Sequence, residues 1–183
     1  MNYMKQKLGA KFSDDEYAEL QQAILRQEVM PSMRLMWGAG KAAENTNVIA
    51  YNCSFIAPTQ LRDFAEILYL LMCGTGVGFA VEQNNVQQLP QIKKQNNKKI
   101  SQHVIEDNKE GWADALLMGL EAWFDGRDIE FDYSQLRPAG ARLRTMGGRS
   151  SGPGPLRDLL DFARRKILAK QGRRLSCLDV HDI

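Results

Sequence analysis

Leu61, Phe64, Ala65, Leu68, Leu71 and Met72 recur at the three-and-four spacing of one helix face, the cleanest apolar stripe in the chain. A second stripe begins near Lys109 and runs through Trp112, Ala115, Leu116, Gly119, Leu120 and Trp123. A third takes in Leu156, Leu159, Leu160, Ala163 and Ile167, with Pro155 at its entry and Gly172 just past its end. Near the start, Ser13 followed by Asp14 and Asp15 marks a helix whose apolar side holds Tyr17, Leu20, Ile24 and, less regularly, Ala23, and which ends before Pro31. Thr59 is placed to cap the 61–72 helix and Gly74 to stop it, while "FDGRD" ends the second.

Between the helices the pattern shortens. Asn47 to Phe55, with Val48, Ile49, Tyr51 and Phe55, reads as a strand, and "VGFAVE" as a short strand returning to the core. "MPSMRLMWGAG" reads as a loop with an apolar segment closed by Gly38 and Gly40. "RLSCLDVHDI" reads as a strand just starting, with Leu175 and Cys177 alternating. Helices alternating with short strands predict an α/β or mixed α+β fold, and no internal repeat is visible.

Two stretches break the pattern. Residues 83–108 are dominated by Asn, Gln and Lys and hold no aromatic residue, which predicts a solvated, mobile insertion; a lysine-rich phosphate loop is the sharper alternative. "RPAGARLRTMGGRSSGPGP", residues 137–155, packs five glycines, three prolines and four arginines into nineteen positions. Its arginines either bind phosphate through guanidinium forks and backbone amides, or pair with nearby acids in an irregular loop.

Composition narrows the function classes. Over 183 residues the formal net charge is only +2, which gives no bulk electrostatic case for nucleic-acid binding. No apolar run reaches the length of a membrane span and the start has no apolar signal core, so the expected location is cytoplasmic. Three cysteines, Cys53, Cys73 and Cys177, form no C-x-x-C pair, and His103 and His181 stand apart, so no disulfide framework and no metal site are expected.

The glycines of "CGTGVGF" allow a ligand close to the backbone. The run fits neither a dinucleotide fingerprint, since a helix precedes it and a strand follows, nor a Walker loop, since no Gly-Lys-Ser/Thr comes after it. It is either a helix stop with a tight turn or part of a site. Cys53 is either a small buried hydrophobe or a nucleophile, with no histidine near it in sequence. Cys73 reads as core, Cys177 as a buried strand residue, and the His181–Asp182 neighbours are weak grounds for catalysis.

Taken together, "MPSMRLMWGAG", "YNCSF", "EILYLLMCGTGVGFAVE", "NKEGWADAL" and "RPAGARLRTMGGRSSGPGPL" occur in the order and spacing of one family. From about Met30 onward, with a break at 83–102, the chain resembles the adenosylcobalamin-dependent ribonucleoside-triphosphate reductases, the monomeric type of class II ribonucleotide reductase. The resemblance implies that Cys53 is one of two cysteines that pass electrons to the ribose and end as a disulfide. It implies that Asn52 and Cys53 line the substrate pocket, that Ser32 is a small polar residue on the same pocket, and that the backbone of Gly76 lies against the substrate. The specificity site of the family lies near the 137–155 loop, without residue-level assignment here.

The same resemblance implies the N-terminal part of a ten-stranded α/β barrel, incomplete in this chain, with 1–45 a helical lead-in, 46–82 the first barrel strand, helix and glycine-rich turn, 83–108 a polar insertion, and 109–183 helices, the Gly/Arg loop and the start of the next barrel strand. The radical cysteine, its asparagine and glutamate partners, the second redox cysteine and most cobalamin contacts of the family have no counterpart, and Cys73 and Cys177 do not match them. The expectation is an N-terminal segment, as a split subunit, an intein-interrupted half or a truncated product, inactive alone. Its expected companions are the C-terminal remainder of the enzyme, adenosylcobalamin held mainly by that remainder, a ribonucleotide substrate, a deoxynucleotide effector and a thioredoxin-like reductant, with no membrane and no nucleic acid. The alternative is a non-catalytic nucleotide-binding or interaction remnant.

Overall fold

A computed structural model describes residues 6, 11–96, 102–143 and 147–183. The chain divides into two compact units, 1–52 and 53–183.

In the first unit, α1 (Asp14–Leu25) begins on a capping box. The Ser13 hydroxyl accepts from the Glu16 amide while the Glu16 carboxylate accepts from the Ser13 amide at 2.7 Å. Three acidic residues in its first turn favour the positive end of the helix dipole. Only Tyr17 of its apolar side is buried, with Phe12 edge-on at 5.6 Å; Leu20 stays exposed. The segment 30–50, expected as a loop and then a strand, is helical instead. It forms α2 (Met33–Gly38), α3 (Lys41–Asn45) and a 3-10 turn (Asn47–Ala50). The reason is local packing: Gly38 and Ile49 are both buried against each other, and a side chain at Gly38 would meet Ile49 at 2.8 Å.

The second unit opens with β1 (Cys53–Ile56), α4 (Leu61–Met72) and β2 (Gly76–Phe79), a βαβ unit whose strands pair in parallel. The cap of α4 is Gln60 rather than Thr59. Both residues' amides donate to the buried Asp63 carboxylate, Thr59 at 2.7 Å and Gln60 at 3.1 Å. Burial opposes ionisation of Asp63, and these amide and side-chain hydrogen bonds outweigh it and hold its carboxyl below the usual range. After the helix stop at Gly74 (φ +84°), the fully buried Thr75 leads into β2.

The rest of the unit is α5 (Gln83–Val86), β3 (His103–Val104), α6 (Lys109–Phe124), β4 (Phe131–Asp132), α7 (Gly154–Leu168) and α8 (Cys177–Asp182), with β3 and β4 parallel. The three helical stripes meet in one core. Phe64 of α4, Leu116, Leu120 and Trp123 of α6, and Leu156, Leu160 and Ile167 of α7 are all buried. Gly119 makes room for the Trp123 indole, since a side chain there would meet the ring at 2.7 Å. The indole nitrogen donates to Asp128, which also receives Arg164 of α7 at 3.0 Å. The Arg164 guanidinium holds the Asp128 carboxyl low against the opposing effect of burial.

Two expectations are corrected here. The described part of 83–108 is not a solvated insertion: Val86, Leu89, Ile92 and Ile105 lie in the core. Backbone bonds tie it down, from the Ile92 amide to Arg173 (2.9 Å), Lys93 to Phe124 (2.8 Å) and His103 to Glu130 (2.8 Å). Residues 97–101 lie outside the described residues. The final apolar stretch, including Cys177, is not a strand. Ser176 caps it as α8, in a capping box with Asp179, and Lys170 pairs with the Asp179 carboxylate at 2.9 Å.

Candidate functional site

The parallel ladder brings together two of the residues singled out in the sequence. Cys53 is the register partner of Gly76, and Phe55 that of Gly78. Paired residues on neighbouring strands point to the same face, and alternate residues share it. One face of the ladder therefore carries Cys53, Phe55, Gly76 and Gly78, all exposed, while Ser54, Ile56 and Val77 on the other face are half-buried. Two glycines opposite two side chains leave the Cys53 thiol beside bare backbone. A molecule lying on this face can reach the thiol and the strand at once. Phe55 is 67% exposed, so an aromatic surface adjoins the thiol. Ser54, quoted in the sequence only as a neighbour of Cys53, ties the strands from behind: its hydroxyl donates to the Gly76 carbonyl at 3.4 Å. Nothing in the one-dimensional pattern marks that bond, because it spans twenty-two residues.

Cys53 is thus an exposed thiol at a strand start, and the buried-hydrophobe alternative is excluded. Ser32 is exposed as the N-terminal flanking residue of α2, where its side chain makes no capping bond. Asn52, the chain neighbour of Cys53, is also exposed. These two belong to the first unit, and Cys53 and Gly76 to the second.

The 137–155 loop separates its arginines into two kinds. Arg137 is pinned to Asp107, Nε to Oδ2 at 2.7 Å and Nη2 to the backbone carbonyl at 3.1 Å. Arg142 and Arg149 instead oppose each other across a short antiparallel hairpin. It is closed by Gly140 to Ser150 (2.8 Å), Ser150 to Ala141 (2.7 Å) and Leu143 to Gly148 (3.0 Å) backbone bonds. Both are exposed, and among the described residues neither makes an ion pair; Arg149 spends one donor on the Gly140 carbonyl at 2.9 Å. Like charges directly opposite in a hairpin repel unless an anion joins them. Arg144 lies outside the described residues.

The described residues hold no group of three or more His, Cys, Asp or Glu side chains able to ligate a metal ion. A pocket of about 310 Å³ in the first unit, lined by Phe12, Glu16, Glu19, Leu20, Ala23 and Val29, suits a small fragment and not a corrin with its nucleotide tail. His181, next to Asp182, packs on Phe79 at 5.6 Å.

Residues 78–167 match the family model described as B12-dependent ribonucleotide reductase, insertion domain. The chain resembles part of a class II ribonucleotide reductase. An adenosylcobalamin-dependent ribonucleoside-triphosphate reductase of Euglena gracilis is 31% identical over 169 residues, covering 87% of this chain and 23% of the relative. One from Lactobacillus leichmannii is 26% identical over 225 residues, covering 92% of this chain and 30% of the relative. The crystal structure of a B-12 dependent (class II) ribonucleotide reductase superposes with a TM-score of 0.79 at 24% identity, over 97% of this chain and 34% of that one, which is a likeness of fold. The chain therefore spans about a quarter to a third of the length of these class II reductases. The stretch that matches the insertion domain holds most of the buried core and the arginine hairpin. Among the described residues no helix is long and apolar enough to cross a membrane.

Proposed function

We propose that this chain is part of a ribonucleotide reductase that converts ribonucleoside triphosphates to 2′-deoxyribonucleotides in cobalamin-initiated radical chemistry. In this reading β1 and β2 are neighbouring strands of the larger barrel, and the exposed ladder face is the floor of the nucleotide site. Cys53 supplies one of two reducing thiols. Each thiol gives up one electron and one proton as the pair closes to a disulfide, the two-electron change that loss of the 2′-hydroxyl as water requires. Gly76 lets the ribose lie close to the strand; Asn52 and Ser32 are the polar residues proposed to position it. Adenosylcobalamin is the proposed cofactor of the assembled enzyme, held by residues outside this chain. A thioredoxin-like dithiol would return the disulfide to thiols, and the cytoplasm is the proposed location.

The observation that carries the reading is the pairing of an exposed Cys53 with Gly76 on an open parallel ladder. The test is to mix the chain with a polypeptide carrying the remaining barrel, adenosylcobalamin and a dithiol, and to measure deoxynucleotide formation. The chain alone gives no product, the mixture does, and Cys53→Ser in the mixture returns the rate to background. Undiminished turnover by Cys53→Ser would falsify the redox role.

A second reading, a nucleotide-binding module without catalysis, is favoured by the Arg142–Arg149 pair, whose two guanidinium groups suit the phosphates of a nucleotide such as an effector. It prevails if no complementing polypeptide restores turnover while the chain still binds triphosphates.

A further inference from the structure

The contact between α4 and α6 holds a polar cluster that neither the ladder nor the hairpin uses. Cys73, which caps the C-terminal end of α4, is fully buried. Lys109, the first residue of α6, places its Nζ 3.4 Å from the Cys73 sulfur. Tyr69 lies one turn back on α4, and the Lys109 Nζ is 5.7 Å from its ring centre. Burial, reinforced by Cys73 and Glu110, pushes the Tyr69 phenol up to about 12, so it stays a neutral donor here. A thiol and a primary amine are thus held in contact across two helices, the sulfur buried and the amine half-buried.

We propose that Cys73 and Lys109 are a modification site at which peroxide forms a reversible sulfenamide cross-link. In the first step the thiol is oxidised by two electrons: the Cys73 S–H and hydrogen peroxide give the sulfenic acid and one water. In the second, the unprotonated Lys109 amine attacks the sulfur. The S–N bond forms, the S–O bond breaks, and the hydroxyl leaves with one amine proton as a second water. Two added thiols reverse it, cleaving S–N, restoring the Cys73 thiol and the Lys109 amine, and becoming a disulfide themselves. The link staples the end of α4 to the start of α6. It also fixes the Cys73–Gly74–Thr75 turn, the three residues that lead directly into Gly76, the ladder partner of Cys53. Oxidative conditions would thereby lock the start of β2, the strand paired with the one that carries the exposed Cys53 thiol. Because the sulfur is buried, peroxide reaches it only when the helix end opens, so the link forms after exposed Cys53 is oxidised.

The experiment treats the full chain with hydrogen peroxide, alkylates remaining thiols and maps protease fragments by mass spectrometry. Expected is a Cys73 peptide joined to a Lys109 peptide, lighter by two hydrogen atoms than the sum of the two and separated by dithiothreitol. The link persists in Cys53→Ser and Cys177→Ser and is absent from Lys109→Arg, which keeps the cation but lacks the reactive amine. Recovery of Cys73 as free thiol after Cys53 is fully oxidised overturns the proposal, on the unmodified chain alone. So does an oxidised Cys73 of the same form in Lys109→Arg, or a link that retains an oxygen atom.

Discussion

The three-helix core of the second unit and its β1–β2 ladder are built on opposite principles. In the core, α4, α6 and α7 turn apolar stripes toward one another, and Trp123, Leu120, Leu160 and Ile167 are almost wholly removed from water. In the ladder, two four-residue strands bond to each other and leave Cys53, Phe55 and Phe79 exposed. Parallel sheets are ordinarily covered on both faces, whereas the face of this ladder that carries Cys53 and Phe55 is exposed. The core holds the unit together; the ladder adds little stability of its own. A residue changed in one should therefore behave differently from a residue changed in the other.

The largest effect is expected at Trp123. Replacing it by alanine removes an indole packed against Gly119 and bonded to Asp128, and should cost about 3–5 kcal/mol in urea unfolding. A cost under 1 kcal/mol would mean that the core does not dominate the stability of this unit.

A smaller effect is expected from acid at α8. Burial raises the Asp179 carboxyl, but hydrogen bonds from the Ser176 hydroxyl and amide and the Lys170 ammonium outweigh it and hold it at about 2. A depressed folded-state value means stability that is complete above the unfolded value near 4 and lost as pH falls through the folded one. Roughly 2 kcal/mol should disappear between about pH 4 and 2. Asp179→Asn should flatten that part of the pH–stability curve; an unchanged slope would remove Asp179 from the account.

The smallest effect is expected on the ladder. Phe55→Ser should change stability by no more than about 0.5 kcal/mol, because the ring is largely in water already. It should also lower self-association on size exclusion, since an exposed aromatic face and open strand edges favour contacts between copies. A loss of several kcal/mol would show that the ring is buried in solution and that the contrast with the core is false.

How far each region could be read from the sequence follows the same division. The stripes at 61–72, 109–124 and 154–168 gave their helices directly, because one face of each meets a core and the spacing records it. The parallel partner of β1 was not legible: Cys53 and Gly76 are joined by register across an intervening helix. The pattern at 83–108 predicts solvation because polar residues outnumber Val86, Leu89, Ile92 and Ile105 and no single period links them, yet Val86 enters the core from α5 and the other three from irregular segments. At the C-terminal end the apolar residues suggested a strand, whereas the Ser176–Asp179 capping box, a local signal that outweighs alternation, starts a helix.

Local chemistry and spacing determined the three long helices of the second unit, and the cysteine and arginine residues worth following. Only the folded chain decided that Cys53 is exposed beside a glycine, that Arg142 faces Arg149, and that Cys73 touches Lys109. Helix periodicity is written within a few neighbouring residues. Strand pairing and side-chain encounters between distant segments arise when tertiary packing brings those segments together, and a linear pattern carries no record of that distance.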